Sequence, residues 1–152
     1  MANYAFSQTS LDRLATVHPD LQKVAHRALR ISMRRHDGGV DFSIPQYGGK
    51  RTAEEQNELF NKSVSKADGY EKLSHHQSGN ALDVIPYITA DGIKGNAIYT
   101  KKISAQKRSL LFHMVAVCML QAASELGIKL GYGGNWRSFN DAPHYSLIRE
   151  SN

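Results

Sequence analysis

The sequence predicts a single α+β domain in which helices, grouped early and late in the chain, pack around a small antiparallel sheet. Three observations support this prediction. The chain has 152 residues, of which 41% are hydrophobic, and this suits one domain with a sizeable core. Apolar residues recur at helical spacing near both ends, whereas the middle holds short alternating or apolar segments. No linker or repeat interrupts the pattern, so we expect one domain over residues 1–152.

The first third of the chain is predicted to be helical. Ser10 is a candidate N-cap for a short helix. A second helix is expected to begin at Pro19, because proline suits the first helical position and the following Asp20 favours the positive helix end. Residues with helical spacing i, i+3, i+4, i+7 and i+8 form its apolar face: Leu21, Val24, Ala25, Ala28 and Leu29.

A strand and a turn follow these helices. Val40, Phe42 and Ile44 alternate with polar residues, which predicts a half-buried strand. The glycine pair at 48–49 predicts a flexible turn after that strand.

A third helix is expected to open at Thr52, which forms a capping-box signature with Glu55. Residues 61–75 are polar and predict a surface loop. The run 81–85 is mostly apolar and predicts a buried strand that ends at Pro86.

The last third carries the clearest helical pattern. A tight turn, and with it a hairpin, is predicted at residues 91–92. Residues 107–126 then share an apolar face, and Gly127 stands where a helix C-cap is expected. Residues 128–132 predict a final strand.

Charge and cysteine content restrict the function. The 19 Lys and Arg exceed the 14 Asp and Glu by five, so anionic partners such as nucleic acid, membrane or cell wall are favoured. Cys118 is the single cysteine, which excludes an intramolecular disulfide and a cysteine-rich zinc site. The first residues lack the pattern of an export signal, and the uncharged run 109–124 falls short of a membrane span.

Most histidines are interpreted without a ligand role. His18, His26 and His36 lie among charged residues and are expected at the surface. His113 falls on the late helix, where a packed or hydrogen-bonded histidine is the ordinary case.

A second group of histidines lies close to a buried acid. Asp83 stands between apolar residues in a predicted buried strand, where a carboxylate needs a partner. His75 or His76 in the preceding loop, together with His144 near Asp141, would complete three ligands and leave a position for water, as in catalytic zinc sites. The alternative is that Asp83 forms an ion pair or caps a turn while the histidines occupy a polar loop.

The segment Ser74-x-His76-x-x-Gly79-x-Ala81-x-Asp83, followed by Asp141-x-x-His144, resembles the signature of zinc peptidases that cut D-amino-acid-containing peptides of peptidoglycan. This family comprises D-alanyl-D-alanine carboxypeptidases and L-alanyl-D-glutamate peptidases, among them phage endolysins, and shares the hedgehog/DD-peptidase fold. The segments at 14–21 and 49–56 resemble two further family motifs, so the resemblance spans residues 14–148.

The resemblance implies a role for each matching residue. His76, Asp83 and His144 would bind Zn²⁺, and His76 is preferred to its neighbour on the spacing to the later motif residues. Asp141 would be the general base, and Arg51 would bind the scissile carbonyl or the developing oxyanion. Further residues are implied to bind substrate: Gln56, Ser74 and Trp136. Support of a metal ligand is the alternative for Ser74, and capping the core is the alternative for Trp136.

Two positions depart from the family pattern. Ser146 stands where many relatives have an acid two residues after the last histidine, which can change how that ligand is oriented. Asn135 replaces an aspartate that relatives often carry before the tryptophan.

The resemblance implies an L-alanyl-D-glutamate endopeptidase that acts as a phage endolysin. We expect it to bind peptidoglycan stem peptides and an anionic wall or outer-membrane surface, without nucleic acid, as a monomer. It would accumulate in the host cytoplasm and reach the wall after membrane permeabilisation. A D-alanyl-D-alanine carboxypeptidase of the same fold is the alternative, and a basic nucleic-acid-binding protein is a remote one.

Overall fold

The computed structural model describes residues 2–90, 92–98, 100–135 and 141–148. Its elements follow the order α1 (Gln8–Leu14), α2 (Pro19–Met33), β1 (Asp41–Ser43), α3 (Ala53–Asn61), a 3₁₀ turn (His75–Ser78), β2 (Ala81–Asp83), β3 (Ile85–Ala90), β4 (Ile93–Asn96), α4 (Ala105–Leu126), β5 (Leu130–Tyr132), a second 3₁₀ turn (Gly133–Asn135) and β6 (His144–Leu147). The mixed α and β content confirms the predicted fold class.

The strands form two antiparallel sheets of three strands each, whereas the sequence predicted one. The first sheet has the order β1-β3-β4 and the second β2-β6-β5. The chain crosses between them at Val84, whose N–H donates to the Pro143 carbonyl at 2.9 Å. The predicted strand over 81–85 is therefore two strands. Pro86 does not end it but lies near the start of β3, opposite Phe42, where a missing N–H is tolerated.

Helix boundaries follow local capping chemistry. Ser7, not Ser10, caps α1, and the buried Ser10 hydroxyl instead accepts from the Ile44 N–H at 3.0 Å. The predicted Pro19 start and the capping box between Thr52 and Glu55 are confirmed. The late helix begins at Ala105, two residues earlier than predicted, because Ser104 caps it. Its predicted C-cap, a left-handed glycine at 127, is confirmed.

The main core lies between α2, α4 and the two sheets. All five predicted apolar residues of α2 are buried there. Helix α4 has 22 residues and is long and apolar enough to cross a membrane by length and composition, but seven of its residues are buried in the core of the domain. Other apolar residues of α4 are exposed: Leu110, Val117, Leu120 and Leu126. The helix contacts β3 of the first sheet and β5 of the second.

Candidate active site

Strand pairing brings two of the candidate ligands together. In the antiparallel pair β2–β6, Asp83 lies directly opposite His144. Asp83 is the last residue of its strand and His144 the first of the other, so both side chains lie at the same open end of the sheet. Cross-strand neighbours are close enough for their side chains to interact. The register of this sheet therefore sets the separation of the two residues.

A capped 3₁₀ turn supplies the third candidate ligand. His76 is buried in this turn, which Ser74 begins by accepting the His76 N–H on its hydroxyl at 3.2 Å. Gly79 ends the turn with a φ of 75°, a left-handed conformation that favours glycine. The exposed neighbour His75 lies outside the cluster, so the structure groups His76 rather than His75 with the other ligands.

The three side chains converge on one carboxylate oxygen. Asp83 Oδ1 lies 3.2 Å from His76 Nε2 and 3.6 Å from His144 Nδ1. His76 Nδ1 lies 2.9 Å from the Gly49 carbonyl, to which it can only donate, so the neutral ring presents a lone pair at Nε2. Within the described part of the chain, neither His76 Nε2 nor Asp83 Oδ1 has a hydrogen-bond partner. A positive charge between these two facing atoms, carried by a proton on His76 or by a bound metal ion, would satisfy both of them.

The donor set fits a zinc ion. Ligands at about 2.0–2.1 Å from a tetrahedral Zn²⁺ lie about 3.3–3.4 Å from one another. The distances from Asp83 Oδ1 to the two histidine nitrogens, 3.2 Å and 3.6 Å, lie just below and just above that value. The three ligand atoms all lie within 4.8 Å of one another. Two imidazoles and one carboxylate are also the ligand types that suit zinc better than magnesium or calcium.

Arg51 binds the other oxygen of the same carboxylate. Its Nη2 lies 3.2 Å from Asp83 Oδ2, and both side chains are largely buried. Burial by itself raises the pKa of Asp83, but the surrounding His76, His144 and Arg51 together outweigh burial and hold the pKa well below its ordinary value. Asp83 is therefore an anion whose Oδ1 is left for the cation site. Orienting Asp83 is a task for Arg51 that the sequence did not reveal.

Gln56 lies behind Arg51 rather than on the surface of the cleft. It is 0% exposed, and its Oε1 accepts from Arg51 Nη1 at 3.0 Å. Its Nε2 donates to the Ser65 hydroxyl and to the Ala67 carbonyl, both at 2.8 Å. The sequence suggested that Gln56 binds substrate, but a fully buried amide with partners on both sides instead positions Arg51 and the loop around Ala67.

The segment before Arg51 holds the site from behind. Tyr47 adopts a left-handed φ of 62°, and its carbonyl accepts from Arg51 Nε at 2.6 Å. The Gly48 carbonyl accepts from the Asp83 N–H at 2.8 Å, and the Gly49 carbonyl holds His76. A Cβ at Gly49 would collide with Thr16, so close packing requires glycine there, whereas the sequence suggested only a flexible turn. The glycine pair was the available signal for this role.

Asp141 lies beside the ligands without belonging to the three-residue cluster. A turn places it, because its carbonyl accepts from the His144 N–H at 3.1 Å and its N–H donates to the Gly133 carbonyl at 2.9 Å. Burial and the negative charge of Asp83 raise the pKa of Asp141, and the cationic forms of the two histidines and Arg51 oppose that rise. A carboxyl with a raised pKa in a cleft is suited to general-base chemistry.

These groups open into a cleft of about 590 Å³. Predicted site residues that line it are Arg51, Ser74, His76, Asp83, Asp141 and His144. Trp136 lies outside the described residues. The histidines interpreted as ordinary residues lie elsewhere: His18 caps α2, His26 and His36 are exposed, and the exposed His113 hydrogen-bonds the Ser109 carbonyl.

Comparison with known proteins identifies the family of the chain. The family described as "Phage L-alanyl-D-glutamate peptidase" matches residues 2–148. The L-alanyl-D-glutamate peptidase of Escherichia phage T5 is 34% identical over 139 residues, which cover 91% of this chain and 86% of that protein. The crystal structure of the Serratia marcescens L-Ala D-Glu endopeptidase ChiX aligns with a TM-score of 0.70 at 28% identity, covering 95% of this chain and 90% of that one. The similarity therefore extends over the whole fold and not only over the motifs.

Proposed function

Because the chain belongs to the phage L-alanyl-D-glutamate peptidase family, we propose that it is a zinc-dependent endopeptidase that cuts the L-alanyl-D-glutamate bond of peptidoglycan. The relative from phage T5 and the ChiX structure carry the same activity in their names. Membership of a peptidase family also disfavours the alternative of a basic nucleic-acid-binding protein. The D-alanyl-D-alanine carboxypeptidase alternative becomes an outcome of the test below.

The observation that carries the zinc assignment is the pair of buried acceptors, His76 Nε2 and Asp83 Oδ1, 3.2 Å apart. His76, Asp83 and His144 would hold the ion. When bound, zinc supplies Lewis acidity toward the scissile carbonyl and toward an attacking water. Arg51 keeps Asp83 Oδ2 occupied, so that the carboxylate offers its other oxygen to the ion.

Asp141 moves the proton in this proposal. It lines the cleft next to the ligand cluster, and its pKa is raised by burial and by Asp83. As a carboxylate it would take a proton from the attacking water, and as an acid it would pass that proton to the leaving amine of D-glutamate. A raised pKa makes the second transfer compatible with the first, because the same group must be a base and then an acid near neutral pH.

Arg51 is the group we assign to the carbonyl oxygen of the scissile bond. Its guanidinium lines the cleft and has five N–H donors, of which the contacts to Tyr47, Gln56 and Asp83 use three. Burial lowers the pKa of Arg51, while Asp83 and Asp141 raise it, and an arginine keeps its charge throughout the working pH range. A fixed, partly desolvated cation is suited to a developing oxyanion.

Digestion of purified peptidoglycan, with mass analysis of the fragments, tests the bond that is cut. We expect new L-alanine carboxyl ends and new D-glutamate amino ends. Release of free terminal D-alanine without these ends would overturn the assignment. Metal analysis before and after chelation tests the ion: we expect one zinc per chain, loss of activity on chelation and recovery with added zinc. Full activity in a zinc-free preparation would refute the zinc assignment.

We also propose that the protein is a monomeric endolysin, which acts on the wall after the host membrane is breached. The exposed side of α2 carries Lys23, Arg30 and the adjoining Arg34, which fits attraction to anionic wall polymers or outer-membrane lipid. Co-sedimentation with purified walls should therefore weaken as salt is raised, whereas salt-independent sedimentation would contradict this attraction. Light scattering after gel filtration should give the mass of one chain, and a dimer mass would contradict the monomer.

A further inference from the structure

The charge of the cleft is divided between two regions. Of the described residues that line it, the acids are Asp83, which is a candidate metal ligand, and Asp141, which is the proposed base beside it. Away from that cluster the lining includes Lys66 and Lys72, two exposed residues of the segment between α3 and the first 3₁₀ turn. We call residues 65–72 the lysine loop. The loop also contains Asp68 and Glu71, but its charged residues that line the cleft are the two lysines.

Three side-chain amides attach the lysine loop to the domain. Gln56 Nε2 donates to the Ala67 carbonyl at 2.8 Å, and Asn57 Nδ2 donates to the Asp68 carbonyl at 2.9 Å. Gln77 Nε2, from the turn that carries His76, donates to the Gly69 carbonyl at 2.9 Å. The loop is therefore fixed both to α3 and to the turn that positions a metal ligand, which makes it a defined wall of the cleft.

Asp68 shapes the end of the loop that carries Lys72. Its Oδ1 accepts three backbone N–H groups, those of Tyr70, Glu71 and Lys72, at 2.9–3.0 Å. These hydrogen bonds occupy the Asp68 carboxylate and fix the backbone from which the Lys72 side chain extends. The carboxylate of nearby Glu58 is likewise bound, to Lys62 at 2.8 Å. Like Asp68 and Glu58, the exposed Glu71 next to Lys72 does not line the cleft, so the lysines are the charged residues that the loop contributes to the lining.

The proposed substrate has its charge on one side of the scissile bond. In peptidoglycan the D-glutamate is joined to the next residue through its side-chain carboxyl, so its α-carboxylate is free and lies next to the bond to be cut. On the other side, L-alanine is acylated and carries no charge. The two lysines that line the cleft can therefore distinguish the two halves of the peptide.

Resting on the proposed function, we propose that the lysine loop is a carboxylate-binding subsite in which Lys66 and Lys72 recognise the acidic half of the stem peptide. This assigns a direction to the substrate, with D-glutamate and the residues after it toward the lysine loop. Lysine is suited to such a task, since its three donors rotate and adapt to a carboxylate of variable position. Exposed contacts of this kind contribute modestly to affinity but can set a preference.

A pair of synthetic peptides tests this subsite. One is N-acetyl-L-alanyl-γ-D-glutamyl-L-lysyl-D-alanine, and the other carries an amide in place of the D-glutamate α-carboxylate. We expect the wild-type enzyme to cleave the acid peptide with a kcat/KM roughly tenfold above that of the amide peptide. The double variant Lys66→Ala/Lys72→Ala should bring that ratio close to one. A matched variant, Lys101→Ala/Lys102→Ala, removes two exposed charges that do not line the cleft and should keep the wild-type ratio.

The results separate the failure of the subsite from the failure of the proposed function. An unchanged ratio in Lys66→Ala/Lys72→Ala, or an equal fall of the ratio in both double variants, would overturn the subsite. A wild-type enzyme without preference for the acid peptide would overturn it as well. Raising the salt concentration should narrow the wild-type ratio, which tests the same interaction without any substitution. If the wild-type enzyme cleaves neither peptide between alanine and glutamate, the proposed function itself fails.

Discussion

Gln56 provides the most informative perturbation of this site, because one fully buried amide touches both the arginine and the wall of the cleft. The change Gln56→Leu keeps the size of the side chain and removes every hydrogen bond. The change Gln56→Glu keeps an oxygen for Arg51 but removes the N–H donors to Ser65 and Ala67. The two variants thereby separate the contact to the arginine from the contacts to the lysine loop.

The expected magnitudes follow from these three contacts. Losing the hydrogen bond to the charged Arg51 costs about 1.5–3 kcal/mol, and each of the two contacts to the loop costs about 1 kcal/mol. Gln56→Leu should therefore lower the free energy of unfolding by roughly 3–5 kcal/mol, which a domain of this size survives. Gln56→Glu should lose roughly 2 kcal/mol, since it keeps the Arg51 contact.

The assay pairs urea unfolding with steady-state kinetics on the acid peptide. If Gln56 acts through Arg51, Gln56→Leu should reduce kcat by roughly tenfold or more, because about 1.4 kcal/mol of transition-state stabilisation corresponds to a factor of ten. Gln56→Glu should keep most of the wild-type kcat. Both variants should raise KM, because both release the loop. The split between kcat and KM distinguishes positioning of Arg51 from a general loss of structure.

A double variant decides whether the reasoning holds. In an Arg51→Ala background there is no guanidinium left to position. The double variant should therefore have the same kcat as Arg51→Ala alone. A further fall in kcat, or equal kcat values for Gln56→Leu and Gln56→Glu, would refute the role assigned to Gln56.

Three further predictions follow from the same structure. Asp141→Asn should lower kcat by about 10²–10⁴-fold and leave the zinc content unchanged, measured by elemental analysis; unchanged activity would remove Asp141 as the base. Gly49→Ala should lower the free energy of unfolding by about 1–3 kcal/mol, because the added Cβ would collide with Thr16. Gly131→Ala, where the added Cβ would make only ordinary van der Waals contacts, should lower it less. Equal losses in urea unfolding would contradict the packing argument. Hydrogen bonds from Lys72, Tyr70 and Glu71 lower the pKa of Asp68, so its stabilising effect should be present above the unfolded pKa of about 4 and be lost as pH falls through the lower folded value. The stability difference between wild type and Asp68→Asn should therefore shrink on acidification, and a difference that stays constant from pH 7 to pH 2 would oppose this account.

The sequence predicted best what depends on local chemistry. Pro19, the capping box at Thr52 and Glu55, and Gly127 each act within one helical turn, and each was confirmed. The structure also brings together the three residues that the family resemblance indicated as ligands, His76, Asp83 and His144, in a group that could hold a metal ion.

What the sequence could not predict depends on long-range contacts. The division into two sheets depends on which strands pair, β3 with β1 and β4 but β2 with β6, and these long-range pairings are not encoded in any local pattern. The burial of Gln56 likewise depends on the loop that folds over it. A polar residue one turn beyond Arg51 is equally compatible with the cleft surface and with the interior, so only the packed structure separates the two.

The register between β2 and β6 has a consequence for when the enzyme can become active. Asp83 and His144 are opposite each other only in this register, and a slip by one residue would turn one of them to the other face of the sheet. His144 comes far later in the chain than His76 and Asp83, in the last described strand. During synthesis the nascent chain therefore has two ligands and no complete site until that strand emerges and pairs. A chain without β6 would lack one of the three candidate ligands, so we expect such a chain to be inactive.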